Sequence, residues 1–242
     1  MKKLAFLIIG DEILCGKTRD INLQTLALKL GEKGYEIGEV RIVADEEEEI
    51  IKAVNELRKK YFMLFTSGGI GPTHDDITTE SVAKAFGVKV IIHEEARLGL
   101  AKHYEEQNLP FNEARLKMAM VPEGATLIYS PQTKAPGFKI ENTFVLAGIP
   151  SIFNGMVDAI LSTMPEGVKI HSLSLETDKV LEGTIATELG KIQKNYQGKV
   201  FIGSYPKMAE SGKPSLQITF RSKDLNLAQE CKSKVEEMIE EF

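Results

Sequence analysis

The segment Lys3 to Gly10, KLAFLIIG, carries only apolar side chains after its lysine and stops at a glycine. A continuous apolar run of this length has no face to offer to water. It suits a strand covered on both sides, the position of a central strand in a parallel sheet. A parallel neighbour needs a crossover, and the next segments supply one. Asn22 to Lys33 places Leu23, Leu26, Ala27 and Leu30 at helical spacing and ends near Gly34, and Tyr35 to Ala44 forms a second strand. Asp45 is placed to cap a helix over Glu46 to Lys60, and Tyr61 to Thr66 (YFMLFT) repeats the buried-strand pattern. Thr78 to Phe86 is the next helix with Gly87 as its stop, and Val88 to Ile92 the next strand. Repeated β-α units of this kind predict an α/β fold, with a mostly parallel sheet between helices on both faces.

The periodicity then becomes less regular. Glu94 to Gln107 and Asn112 to Met120 are expected as helices separated by Pro110. Short strands are expected at Thr126 to Tyr129, Phe138 to Ile140 and Phe144 to Leu146, before a helix opened by Pro150 and reaching Leu161. The first domain is expected to span residues 1–165 and a small α+β domain residues 166–242. The latter reads as strand Lys169 to Leu175, helix Leu181 to Tyr196, strands Lys199 to Tyr205 and Ser215 to Phe220, and helix Leu225 to Phe242. A polar hairpin turn is expected over Pro206 to Pro214.

Composition narrows the classes of function. The 242 residues are 43% hydrophobic and 27% charged with a formal net charge of -5, so no strong field attracts nucleic acid or an anionic membrane. The apolar start is followed at once by Gly10, Asp11 and Glu12, unlike a signal peptide or a membrane span, so a cytoplasmic protein is expected. Cys15 and Cys231 show no metal-ligand spacing and are expected as free thiols.

In a doubly wound sheet, ligands bind beyond the carboxyl ends of the strands. Two loops take such places, one after the first strand and one after the third. The second, Thr66 to Thr78 (TSGGIGPTHDDIT), carries Gly68, Gly69 and Gly71, which permit positive φ and close backbone approach, together with the hydroxyls of Ser67 and Thr73. Its amides and the start of the following helix are expected to cradle an oxyanion. Asp75 and Asp76 in this loop, with Asp11 and Glu12 in the first, would repel one another without a proton or cation between them. Oxygen ligands of this type favour magnesium or manganese. The bland alternative is that Asp75 and Asp76 cap the Thr78 helix. His74 is a candidate acid or base, and Lys134 a candidate phosphate contact. The glycine pattern matches neither the dinucleotide fingerprint nor the Walker loop.

TSGGIGPTHDDIT resembles the signature of the molybdopterin-binding (MoaB/MogA-like) domain family, and Pro72 with Asp75-Asp76 point to its CinA-like branch. GDEILCGKTRDIN (Gly10 to Asn22), NEARLKMAMVPEGATLI (Asn112 to Ile128) and APGFKIENTFVLAGIP (Ala135 to Pro150) resemble further ordered motifs of that branch, over residues 1–165. The remainder is similar to the small α+β domain of CinA-like proteins and eukaryotic FAD synthases, through its order of elements and GSYP at Gly203 to Pro206. Nothing resembles the deamidase domain of full-length CinA proteins, and deamidase activity is not expected. LAGIPSIFNGM (Leu146 to Met156) departs from the commoner form of its motif.

The resemblance implies the molybdopterin-binding fold and a pyrophosphatase that uses magnesium, manganese or cobalt to hydrolyse ADP-ribose or a related nucleotide such as FAD. Its alternatives are a molybdopterin-binding protein of molybdenum cofactor biosynthesis and a non-catalytic nucleotide-binding protein. Asp11, Asp75 and Asp76, with Glu12, would bind metal or orient water. Ser67, Gly68, Gly69, Gly71 and Thr73 would hold phosphate, and Asn22, Asn112 and Arg115 would contact ribose or phosphate. The implied partner is a small nucleotide or pterin, and the implied assembly a homo-oligomer.

Overall fold

A computed structural model describes residues 3–208, 212 and 214–242. The chain divides into two compact units, Met1–Gly167 and Val168–Phe242, where the sequence places the boundary after residue 165.

The first unit opens with β1 (Lys3–Ile9), the single turn α1 (Asp11–Leu14), α2 (Asn22–Glu32), β2 (Glu36–Val43), α3 (Glu47–Lys60), β3 (Met63–Ser67) and α4 (Thr78–Phe86). It continues with β4 (Val90–Ile92), α5 (Glu94–Glu106), α6 (Glu113–Lys117), β5 (Met120–Pro122), β6 (Thr126–Ser130), β7 (Thr133–Ile140), β8 (Thr143–Leu146) and α7 (Pro150–Thr163). Six strands form one sheet in the order β2-β1-β3-β8-β7-β6. The first four run parallel, and β7 pairs antiparallel with both β8 and β6. The carboxyl ends of β2, β1, β3 and β8 therefore share one edge of the sheet.

The apolar run of β1 is explained by the two cores it serves. Leu4, Phe6 and Ile8 pack on one face with Leu26 and Leu30 of α2 and Phe153 and Val157 of α7. Ala5, Leu7 and Ile9 pack on the other with Ile50, Val54 and Leu57 of α3 and Val82 of α4. Each such buried side chain contributes about 1.5–3 kcal/mol. Phe65 of β3 stacks on Phe144 of β8 at 4.9 Å, across the first core.

One expected strand is displaced. Val90–Ile92 does not join the parallel sheet but pairs antiparallel with Met120–Pro122 in a separate two-stranded sheet. Ile91 and Ile92 are exposed, so this run lacks the two-sided burial of β1, and the place beside β3 goes to β8. Met120, expected at the end of a helix, begins a strand because α6 stops at Lys117.

The second unit contains β9 (His171–Thr177), α8 (Glu182–Asn195), β10 (Val200–Met208), β11 (Pro214–Ser222) and α9 (Leu225–Glu240). Its antiparallel sheet runs β10-β11-β9 over a core that includes Ile185, Val200, Ile218, Phe220 and Val235. The expected hairpin turn between β10 and β11 falls largely outside the described residues. Asp224 caps α9 by accepting from the amides of Asn226 at 2.9 Å and Leu227 at 3.2 Å. The free edge of β10 is closed by the Gln193 side chain, which donates to Val200 O at 2.9 Å and accepts from Ile202 N at 2.7 Å. Pro206, at the same parity along the strand, offers no N–H, so the edge is guarded against pairing with another strand. Among the described residues no helix is long and apolar enough to cross a membrane.

Candidate functional site

At the shared sheet edge, the chain leaves β3 through Gly68 with φ 108°. Its N–H donates to Leu146 O at 3.1 Å, and a Cβ there would lie 2.1 Å from Ile9 O. Gly68 thus threads between the ends of β1 and β8, and only glycine passes. Gly69 also takes positive φ, 67°, and its carbonyl accepts from the Thr78 amide of α4 at 3.0 Å. Gly71 differs: its φ is not positive, and a Cβ there would meet only the Asp76 carboxylate, 2.6 Å from Oδ2. The amides of Gly69, Ile70 and Gly71 find no hydrogen-bond acceptor among the described residues. They are the donors available to an oxyanion.

The acidic end of the loop is braced rather than capping. The helix α4 is preceded by Ile77 and has no side-chain cap. Asp76 instead accepts from the Thr73 amide at 2.9 Å and from the Thr73 hydroxyl, closing the turn internally. Lys117, at the end of α6, donates to Thr73 O at 2.8 Å. The neighbouring Thr73 side chain holds the exposed Asp75 carboxyl below its usual range, assisted by its own backbone amide and the charges of His74 and Lys117. His74 is exposed at the tip of the same loop.

The other half of the edge is built by the ends of β1 and β2. Gly10 N donates to Val43 O at 3.2 Å, and the chain then turns through α1. The Asp11 amide donates to Asp45 Oδ2 at 2.9 Å, and the Asp45 amide donates back to Asp11 Oδ1 at 3.3 Å. Asp45 is thus not the cap of α3; Glu46 holds that position, without a side-chain hydrogen bond. Asp45 Oδ1 lies 3.5 Å from where a Cβ of Gly69 would stand, which puts the carboxyl beside the glycine loop. Burial pushes the Asp45 carboxyl up, and the negative charges of Asp11, Glu12 and Asp75 add to the rise, while the Asp11 hydrogen bond opposes it. Two carboxyls of this edge are thereby shifted in opposite directions, Asp45 up and Asp75 down.

Asn22 joins the two halves. Its Nδ2 donates to Ser67 Oγ at 2.9 Å and to Gly148 O at 2.8 Å, and its side chain is buried. Asn22 and Ser67, expected to contact ligand, are therefore each other's partners beneath the loop. Asn22 Oδ1 and Thr78 Oγ1 are buried without a partner among the described residues.

Two expected ligand contacts are engaged elsewhere. Asn112 caps α6, accepting from the Arg115 amide at 3.0 Å. Arg115 stacks over Tyr104 at 4.1 Å and donates to Pro110 O. Lys134, at the start of β7, lines a groove against α5. Cys15 is exposed, with its sulfur 3.7 Å from Glu12 O. Two site residues escape the sequence reading. Asp45 is disguised by the acidic run DEEEE, although its place at the carboxyl end of a strand is a usable signal. Nothing local marks Lys117, whose partner lies 44 residues away in the chain.

The mostly parallel sheet covered on both faces, with a glycine loop at its carboxyl edge, places the first unit in the class of open-sheet α/β domains. Within that class, residues 5–166 match the family described as "Probable molybdopterin binding domain", and the chain belongs to it. Residues 169–242 match the middle domain of FAD synthase, so a second, FAD synthase-like domain follows. A protein of Sulfurisphaera tokodaii is 32% identical over 97% of this chain and 91% of its own length. One of Pyrobaculum calidifontis is 32% identical over 87% of this chain and 83% of its own length. Among solved structures, the CinA protein of Thermoplasma acidophilum, described as of unknown function, is similar with a TM-score of 0.61 and 30% identity. The match covers 66% of this chain and 96% of that one.

Proposed function

We propose that the protein hydrolyses the phosphoanhydride of ADP-ribose or a related nucleotide such as FAD at this sheet edge. The observation that carries the proposal is the reciprocal Asp11–Asp45 pair set against the glycine loop, whose amides at Gly69, Ile70 and Gly71 have no acceptor among the described residues. The amides of Gly69, Ile70 and Gly71 hold the diphosphate and stabilise the charge that develops on it. Asp75 orients a water molecule and takes its proton as the water oxygen bonds to phosphorus. The bridging P–O bond breaks, and the departing monophosphate leaves as its oxyanion, its charge met by the loop amides. The products are two monophosphates.

Among the described residues, no three acidic, histidine or cysteine side chains form a group ready to hold a metal ion. The donor set is nevertheless of the type magnesium uses, one or two carboxylates completed by ligand phosphate oxygens. Among the acids of this edge, one or two of Asp11, Glu12, Asp75 and Asp76 would hold such an ion, which would supply charge neutralisation at the phosphate. The reading carries with it a small-molecule ligand, no nucleic acid, a cytoplasmic location and a homo-oligomer.

Purified protein incubated with ADP-ribose, FAD or NAD and magnesium, manganese or cobalt is expected to release monophosphates. Folded protein that turns over none of them with any metal would remove the proposal. A second reading follows from the family match to a molybdopterin-binding domain. Tight molybdopterin binding without phosphoanhydride turnover would favour it.

A further inference from the structure

Away from the glycine loop, a groove of about 430 Å³ runs between one stripe of α5 and the start of β7. Glu95, Gly99, Lys102 and Glu106 line it from the helix, and Tyr129 and Lys134 from the hairpin. No element packs above Gly99: a Cβ built there meets nothing within 4 Å, so the helix backbone forms an open floor. Charges of both signs line it. Lys134 pairs with no carboxylate among the described residues. Lys102 is only loosely held, 3.9 Å from Glu106. Glu95 faces the Tyr129 hydroxyl, whose ionisation is pushed up to about 12 by burial and then by the Glu95 charge, so the phenol remains a donor. One phenol satisfies only part of a carboxylate, which has about four acceptor positions. A lining so rich in charge does not suit an apolar peptide or helix.

We propose that this groove is a binding site for a phosphorylated sugar of the ribose 5-phosphate type, with Lys102 and Lys134 on the phosphate and Glu95 and Glu106 on the hydroxyls. Two ammonium groups without strong partners are a point-charge clamp for phosphate. Carboxylates that keep free lone pairs accept from the vicinal hydroxyls of a ribose, as acidic residues do in dinucleotide sites. The size lies within the range of small-ligand pockets. The site is independent of the hydrolytic reading and stands or falls separately from it.

The experiment is a titration of the full chain with ribose 5-phosphate, followed by backbone amide shifts, with ribose and inorganic phosphate as separate arms. Ribose 5-phosphate is expected to move the amides of Gly99, Lys102 and Lys134, and to bind at least tenfold more tightly than either fragment. K102A/K134A is expected to weaken it at least tenfold. G99L, which projects into the open groove from a helix that gains a better helix former, is expected to block binding while the melting temperature is unchanged or higher. Shifts confined to Gly69–Thr73 would assign the phosphate to the glycine loop instead and overturn the proposal. So would equal affinity for inorganic phosphate, or unaltered binding in K102A/K134A and G99L.

Discussion

Asp11 and Asp45 exchange hydrogen bonds across the ends of two adjacent strands, each carboxylate accepting the other's backbone N–H, at 2.9 and 3.3 Å. The pairing costs something, because two acids are gathered where Glu12 and Asp75 also contribute charge. With its carboxyl pushed up in the folded state, Asp45 destabilises the fold once pH exceeds its ordinary value, and the penalty disappears in acid where both states are protonated. Asp45→Asn keeps an oxygen for the Asp11 amide and removes the charge. It is expected to raise the melting temperature at pH 7 by about 1–3 °C and to show no gain near pH 3. A destabilised variant at pH 7 would contradict the charge account.

Glu39 behaves in the opposite sense. Hydrogen bonds from Lys60, Arg41 and Tyr61 lower its carboxyl to about 2. Its contribution is complete above the ordinary glutamate value and is lost as pH falls from there toward about 2. The cluster is partly solvated, so the contribution is held to below about 1 kcal/mol. Urea unfolding of Glu39→Gln across pH 2–6 is expected to show a smaller acid-induced loss than the parent protein.

The glycines of the loop differ in what they tolerate. Gly68→Ala meets the backbone oxygen of Ile9 at 2.1 Å with φ 108°, and neither strand end can yield. A loss of about 3 kcal/mol or more is expected. Gly71→Ala meets only the end of the Asp76 side chain. Its stability is expected to change by less than about 1 kcal/mol, while phosphate binding weakens because Asp76 must leave Thr73. Denaturation curves and phosphate titrations of the two variants distinguish these outcomes.

Asn22→Ala leaves the Ser67 hydroxyl and Gly148 carbonyl without their shared donor at a buried position. A cost of about 2–3 kcal/mol is expected, together with faster amide exchange at Gly148. Unchanged exchange there would show that Asn22 does not hold the β8 end against β3.

Much of the fold was legible because it rests on local patterns. The two-sided burial of Leu4 to Ile9, the helical spacing of α2 to α4, the left-handed stop at Gly87 and the glycine loop at a strand end are all written in consecutive residues. The loop was also specific enough to carry a family resemblance that the match over residues 5–166 bears out. Strand Val90–Ile92 was misplaced because three apolar residues do not say which sheet will receive them.

The sequence by itself therefore determined the class of fold, most of the succession of elements and the place of the glycine loop at a strand end. Only the tertiary structure decided which acids meet there. It drew Asp45 out of an apparent capping run and set it against Asp11, brought Lys117 to Thr73, and turned Asn112 and Arg115 to other tasks. The physical reason is that a side chain's partner is set by strand order and by crossovers tens of residues long, whereas sequence pattern reports only the neighbours within a turn or two.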